Sequence, residues 1–255
     1  MKRKKRNKFH VYVLTFLLGF LLAVLIFYKP SEIKENEIKE VEKSGISLPI
    51  NTTLLKSTTN VIAVDQNRQG LLGKVEVEIT QGNGKILINT NPFLEPDTQF
   101  SANIAALVAS NITGINLEDK NIIYDFDING TVVGGPSAGA SMTLATIAAL
   151  QNKQLKNIGI TGTILPNGEI GQVGAVIEKG EAVANNNLEL YLIPAGETIF
   201  RYYEPQTTKR KVGNLVITST RFVPKEINVI EYFEKEYGLK VIGVNNIQEA
   251  MKYAF

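Results

Sequence analysis

GGPSAGASMTLATIAAL, residues 134–150, decides how the chain is read. Its first half fits G-x-S-x-G across Gly135-Pro136-Ser137-Ala138-Gly139, the pattern of a serine nucleophile on a tight turn before a helix. From Ser137 to about Gln151 the run is apolar and rich in small residues, which predicts a buried helix. On these residues alone Ser137 has two readings. It is an N-cap, or it is a nucleophile beside free backbone N–H groups and the positive end of a helix dipole. A nucleophile needs a base to take its proton. The chain has one histidine, His10, which lies in an apolar N-terminal run. An α/β-hydrolase triad, which needs a histidine after the serine, is thereby excluded.

Lysine is the natural replacement, because burial disfavours the ammonium and frees an amine near neutral pH. In AVIEKGEAVA, residues 175–184, Val176, Lys179 and Val183 recur at i, i+3 and i+7 on the apolar face of an amphipathic helix. Lys179 is a misfit on that face. Either it snorkels at the rim with its amine in water, or it is a buried base.

The flanking residues predict an α+β domain. LLGKVEVEIT and GKILINT read as a strand pair across Gln81-Gly82-Asn83. DTQFSANIAALVASN reads as a helix capped by Asp97. NIIYDFDI, NIGITGTI, LELYLIP, NLVITSTRFV and KVIGV read as strands, and Gly168 to Gly174 as a strand or turn. Residues 175–187, EINVIEYFEKEYG and NIQEAMKYAF read as helices.

Six of the basic residues fall in the first eight positions, and residues 9–28 carry no acidic or basic side chain except His10. Twenty apolar residues suffice as a helix to cross about 30 Å of hydrocarbon. The expected organisation is a cytoplasmic basic tail at 1–8, a transmembrane anchor at 9–28, a charged linker at 29–59 and a domain at 60–255. The domain then faces outward from the cell membrane. A cleaved signal peptide is the rival, but no small-x-small site follows the span. Without the basic tail the chain is mildly acidic, which argues against a nucleic-acid partner. The absence of cysteine excludes disulfides and thiol catalysis.

In the order GGPSAGASMTLATIAAL, ITGTI, GEIGQVGAVIEKGEAV, LYLIPAG, the chain resembles the proteolytic domain of Lon proteases (family S16), a fold of the ribosomal protein S5 domain 2 type. The 42-residue gap between Ser137 and Lys179 matches as well, and LKVIGVNNIQEAMKYAF resembles the end of that domain. The resemblance implies a Ser–Lys dyad, with Ser137 as nucleophile, Lys179 as general base, Thr161 holding the lysine, and backbone amides at Ser137 and its neighbours as the oxyanion hole. It implies protein or peptide substrates, no cofactor or metal, and a homo-oligomer, since a typical member is a hexameric ring. Many such domains carry an acidic residue three before the serine, where this chain has Gly134. The acidic residue often seen after T-G is here Thr163. Membrane-anchored relatives without an ATPase share G-G-P-S-A-G and T-G-T. No Walker A string occurs; Gly82-Asn83-Gly84-Lys85 is too short and is followed by Ile86. The function expected is thus ATP-independent cleavage of flexible protein segments. The rivals are a non-catalytic tethered module and a self-processing protease. Residues 197–238 read as an insertion without counterpart.

Three further patterns carry less. Asp125 to Gly130 copies the start of an EF-hand loop, but Pro136 stands where a bidentate Glu is needed, so a strand end and turn are expected. Asn51, Asn111 and Asn129 head glycosylation sequons. Ser31-Glu-Ile-Lys34 matches S-x-x-K without its companion motifs.

Overall fold

The structure, a computed structural model, describes residues 55–89, 91–130 and 132–255. The basic tail, the 9–28 span, the linker up to residue 54, the Ser31–Lys34 string and the Asn51 sequon lie outside the described residues. Among the described residues no helix is long and apolar enough to cross a membrane.

Alternation builds the main sheet. In β1 (Leu55–Val64), β2 (Gly70–Gln81), β3 (Ile86–Ile88) and β5 (Lys120–Asp127) the spatial order is β1-β2-β5-β3. β1, β2 and β5 run antiparallel, and β3 is parallel to β5. Val75, Val77 and Ile79 of β2 and Ile122, Tyr124 and Phe126 of β5 are buried at every second position, so one face of the sheet is apolar. The short pair β4 (Phe93–Leu94) and β6 (Val132–Val133) flanks this sheet in sequence and runs parallel.

Helix α1 (Pro96–Thr113) and helix α2 (Gly139–Gln151) pack on each other, and α2 packs on β1 and β2. All of α2 from Gly139 to Leu150 is buried. Its small side chains allow that, and its hydroxyls are satisfied locally. Thr143 donates to the Gly139 carbonyl at 2.7 Å, Thr146 to that of Met142 at 2.7 Å, and Ser141 to that of Ile160 at 3.0 Å.

A second sheet is parallel, in the order β13 (Lys240–Val244), β10 (Leu190–Pro194), β7 (Gly159–Ile160). The antiparallel pair β8 (Thr163–Ile164) and β9 (Ile170–Gly171) follows β7. Helix α3 (Val176–Asn185) and helix α4 (Val229–Tyr237) share a separate apolar cluster with Tyr191, Ile193 and Val241. A Cβ at Gly180 of α3 would lie 2.2 Å from the Phe233 ring, so glycine is what lets α3 and α4 meet. Helix α5 (Ile247–Ala254) closes the chain, its first turn capped by Asn246, which accepts from Glu249 N–H at 2.9 Å.

Several expectations need correction. β2 and β3 are not partners: β5 enters between them, antiparallel to β2 over its full length and parallel to the three-residue β3. The strand β1 begins at Leu55, inside the expected linker; its mixture of Thr, Ser and Asn hid a strand that is half-buried at its start. NIGITGTI is two strands of different sheets, broken at Thr161-Gly162. Asp97 is not the cap of α1, whose N-cap is Glu95 with no side-chain hydrogen bond. The expected 197–238 insertion divides. β11 (Ile199–Val212) and β12 (Leu215–Asn228) form a hairpin closed by Gly213-Asn214, whereas α4 belongs to the second core. Glu226 to Asn228, expected to begin that helix, end β12 instead.

Candidate active site

Pro136 to Ala138 form a 3-10 turn that leads into α2, and Ser137 sits in its middle. Gly135 precedes it at φ 88°, a left-handed conformation that suits glycine. The turn is pinned on two sides. Towards α1, the Gly135 N–H donates to Asp97 Oδ1 at 3.2 Å, and Thr98 Oγ1 donates to the Gly135 carbonyl at 3.0 Å. Towards the break after β7, the Gly162 N–H donates to the Ser137 carbonyl and the Ala140 N–H to the Gly162 carbonyl, both at 3.0 Å. Asp97 therefore works as a brace for the serine turn.

Lys179 lies one turn into α3, where its backbone N–H donates to the Ala175 carbonyl at 3.0 Å. Ala175 itself is left-handed at φ 59°. That conformation costs an L-residue roughly 1–2 kcal/mol. Lys179 is 5% exposed, so it does not snorkel. Its Nζ donates to Thr161 Oγ1 at 3.3 Å. The Thr161 hydroxyl in turn reaches the Ser137 carbonyl at 3.5 Å, a long contact. With its proton turned to that carbonyl, Thr161 accepts from the lysine and leaves the amine lone pair free.

Ser137 and Lys179 line one cavity of about 540 Å³, together with Gly134, Gly135, Pro136, Thr163 and Glu197. Ala138 and Gly139 are buried behind it. Burial pulls the Lys179 pKa down to about 8, against the opposing carboxylates of Glu197 and Glu178. Glu178 is engaged elsewhere, in an ion pair with Arg68. Glu197 has no ion-pair partner among the described residues. Its Oε1 accepts from the Val173 N–H at 2.9 Å, and its Oε2 is buried with no hydrogen bond. Burial pushes the Glu197 carboxyl up, while the Val173 N–H and Lys179 oppose that.

The structure thus brings together the expected Ser137, Lys179, Thr161, Gly135 and Pro136. Sequence reasoning missed two carboxylates. Glu197 follows the strand of LYLIPAG and was placed in the insertion; its position just past β10 was a usable signal. Glu95 lies over Gly134: a Cβ there would be 2.0 Å from Glu95 Oε2. A carboxylate from the start of α1 thus lies where a side chain at position 134 would begin, and no local pattern announces that. The EF-hand-like string is split between β5 and the turn after it, with Asp125 and Asp127 on the strand.

The family described as the Lon protease (S16) C-terminal proteolytic domain matches residues 67–212, more than half of the chain. The chain is 29% identical over 143 residues to a Lon protease of Lawsonia intracellularis, covering 54% of this chain and 17% of that protein. It is 28% identical over 140 residues to an archaeal Lon protease of Methanothermobacter thermautotrophicus, covering 53% of this chain and 22% of that protein. It is 27% identical over 188 residues to a Lon protease of Fervidobacterium nodosum, covering 72% of this chain and 21% of that protein. The match therefore spans about a fifth of these relatives.

Proposed function

The chain belongs to the family of Lon protease (S16) C-terminal proteolytic domains, and we propose that it is a serine endopeptidase acting through Ser137 and Lys179. The observation that carries this is the buried Lys179 amine, joined through Thr161 to the Ser137 turn on the wall of one cavity. Neutral Lys179 takes the proton of Ser137 Oγ, and Oγ attacks the peptide carbonyl. The Gly135 N–H is held by Asp97 and the Gly139 N–H by the Pro136 carbonyl, so the Ser137 amide is the donor we assign to the oxyanion. The C–N bond breaks as the lysine ammonium returns its proton to the leaving amine. Water, deprotonated by the same lysine, then attacks the ester; the C–Oγ bond breaks and the lysine ammonium returns the proton to Ser137 Oγ.

We further propose that the enzyme is tethered through residues 9–28 with its domain outside the cytoplasm, and that it works without ATP as a homo-oligomer. The apolar run behind a basic tail supports the tether. The lack of a Walker A string in the 255 residues supports ATP independence. Its substrates are then flexible or unfolded segments, since nothing in these residues would drive unfolding.

The test is cleavage of a flexible protein by the purified chain, with and without ATP. Ser137→Ala and Lys179→Ala should each lower the rate by about 10³-fold or more, with no response to ATP. Cleavage that survives both substitutions would end the reading.

A further inference from the structure

β11 and β12 each span 14 residues. At about 3.4 Å per residue the ribbon is about 45 Å long. Every residue of β11 is exposed, and in β12 only Val223, Ile227 and Asn228 are partly covered. The ribbon therefore does not rest on its own domain. An isolated two-stranded hairpin is marginally stable in water. Apolar side chains left in solvent along its length, such as Tyr203 at 70%, Leu215 at 72% and Phe222 at 64%, sharpen the problem. Something must cover it.

Charge says what. The hairpin, residues 199–228, carries six cations and two carboxylates, a net charge of +4. Both carboxylates are paired near its root, Glu226 with Arg201 and Glu204 with Lys225. Lys209, Arg210, Lys211 and Arg221 towards the tip have no acid beside them in sequence. The rest of the described domain, residues 55–198 and 229–255, carries eighteen carboxylates and eleven cations, a net charge of −7. Opposite charge thus sits on the same chain, beyond the contact of its own hairpin.

The acidic body also has an apolar patch. Outside the hairpin six large apolar side chains are exposed among the described residues, and three of them, Phe93, Phe100 and Leu107, fall in or just before α1. Phe100, Asn103 and Leu107 follow i, i+3, i+7 along one exposed stripe of that helix. Glu95 and Asp97, also exposed, stand at its start. The basic arm with its exposed aromatics thus has a counterpart in the exposed Phe100 and Leu107 of α1, with the carboxylates of Glu95 and Asp97 at the start of that helix.

We propose that the hairpin is an assembly arm that docks on the outward face of α1 of a second copy of this chain. The contact joins two different surfaces, so it repeats head to tail and builds a closed ring where the rotation permits. The arm leaves the domain two residues after Glu197, and α1 braces the Ser137 turn through Asp97 and Thr98, so the junction ties one catalytic site to the next. This inference rests on the assembly proposed above and not on the chemistry.

The experiment is the mass of the 255-residue chain in mild detergent, by light scattering at low and high salt, with peptide cleavage measured in parallel. One variant carries Lys209→Glu, Arg210→Glu, Lys211→Glu and Arg221→Glu together. A second, on the receiving face, carries Phe100→Ser with Leu107→Ser. The expected result is a multimer at low salt that loosens at high salt, and the mass of one chain for both variants with the circular dichroism of a folded domain retained. A wild type of one-chain mass would overturn the inference and the assembly reading together. A multimer that survives both variants would overturn the inference alone. So would a reversed-charge arm that keeps the mass but no longer binds phosphatidylserine vesicles or unfolded casein, since its partner would then be a lipid surface or a substrate.

Discussion

Phe233 and Phe222 are eleven residues apart in sequence and opposite in circumstance. Phe233 is fully buried, edge-on to Tyr191 and packed where Gly180 makes room; Phe222 stands 64% exposed on the hairpin. The same contrast divides the two buried apolar clusters of the domain from the ribbon of residues 199–228, where apolar groups are exposed. Free energy of folding resides in the first. The second contributes little to folding and keeps its surface for a partner.

Paired substitutions test that division. Phe233→Ala should lower the unfolding free energy by about 3–5 kcal/mol, because the cavity left against Tyr191 and Tyr232 cannot close. Chemical denaturation would read it, and a loss below 1 kcal/mol would contradict the assigned core. Lys179→Met should act in the reverse direction. Burial holds the folded Lys179 pKa at about 8, against 10.5 for an ordinary lysine. Below pH 8 the folded state must hold a buried ammonium. Between pH 8 and 10.5 the unfolded state binds the extra proton, so the wild type gains stability as pH rises. The methionine variant should therefore be more stable at pH 7 by up to about 3 kcal/mol. That advantage should shrink above pH 8, and a melting series across pH would show it.

Thr161→Val removes the hydroxyl that orients the lysine. It should lower kcat by about ten- to a hundredfold, and it should leave KM alone because Thr161 does not line the cavity. Glu197→Gln should be milder. It keeps an oxygen for the Val173 N–H but removes the charge that holds the Lys179 pKa up, so the rise of kcat/KM with pH should move to lower pH. A profile that stays in place would show that Glu197 does not act on the lysine. Smallest of all, Phe222→Ala should change stability by no more than about 0.5 kcal/mol.

The legible parts of the molecule were those where local pattern and final environment agree. The alternation in β2 and β5 and the small-residue run of α2 mark buried faces, and the lysine on the valine stripe of α3 marks the buried amine proposed as the base. What stayed hidden depends on contacts far apart in sequence. The entry of β5 between β2 and β3 is a matter of topology, and no turn signal reports it. Glu95 comes to Gly134 from about forty positions away, and Glu197 reaches the site because β10 ends there. The hairpin was half legible: its exposed β11 mixes charged, polar and aromatic residues with no buried face to impose a period.

The most direct measurement is the rate at which a fluorophosphonate probe labels Ser137 across pH, in the wild type and in Lys179→Ala. Labelling of the wild type should rise with pH and level off above about 8, where burial places the Lys179 pKa. Lys179→Ala should label slowly at every pH. Equal labelling of the two proteins, or a wild-type rate indifferent to pH, would contradict a Ser137 activated by Lys179.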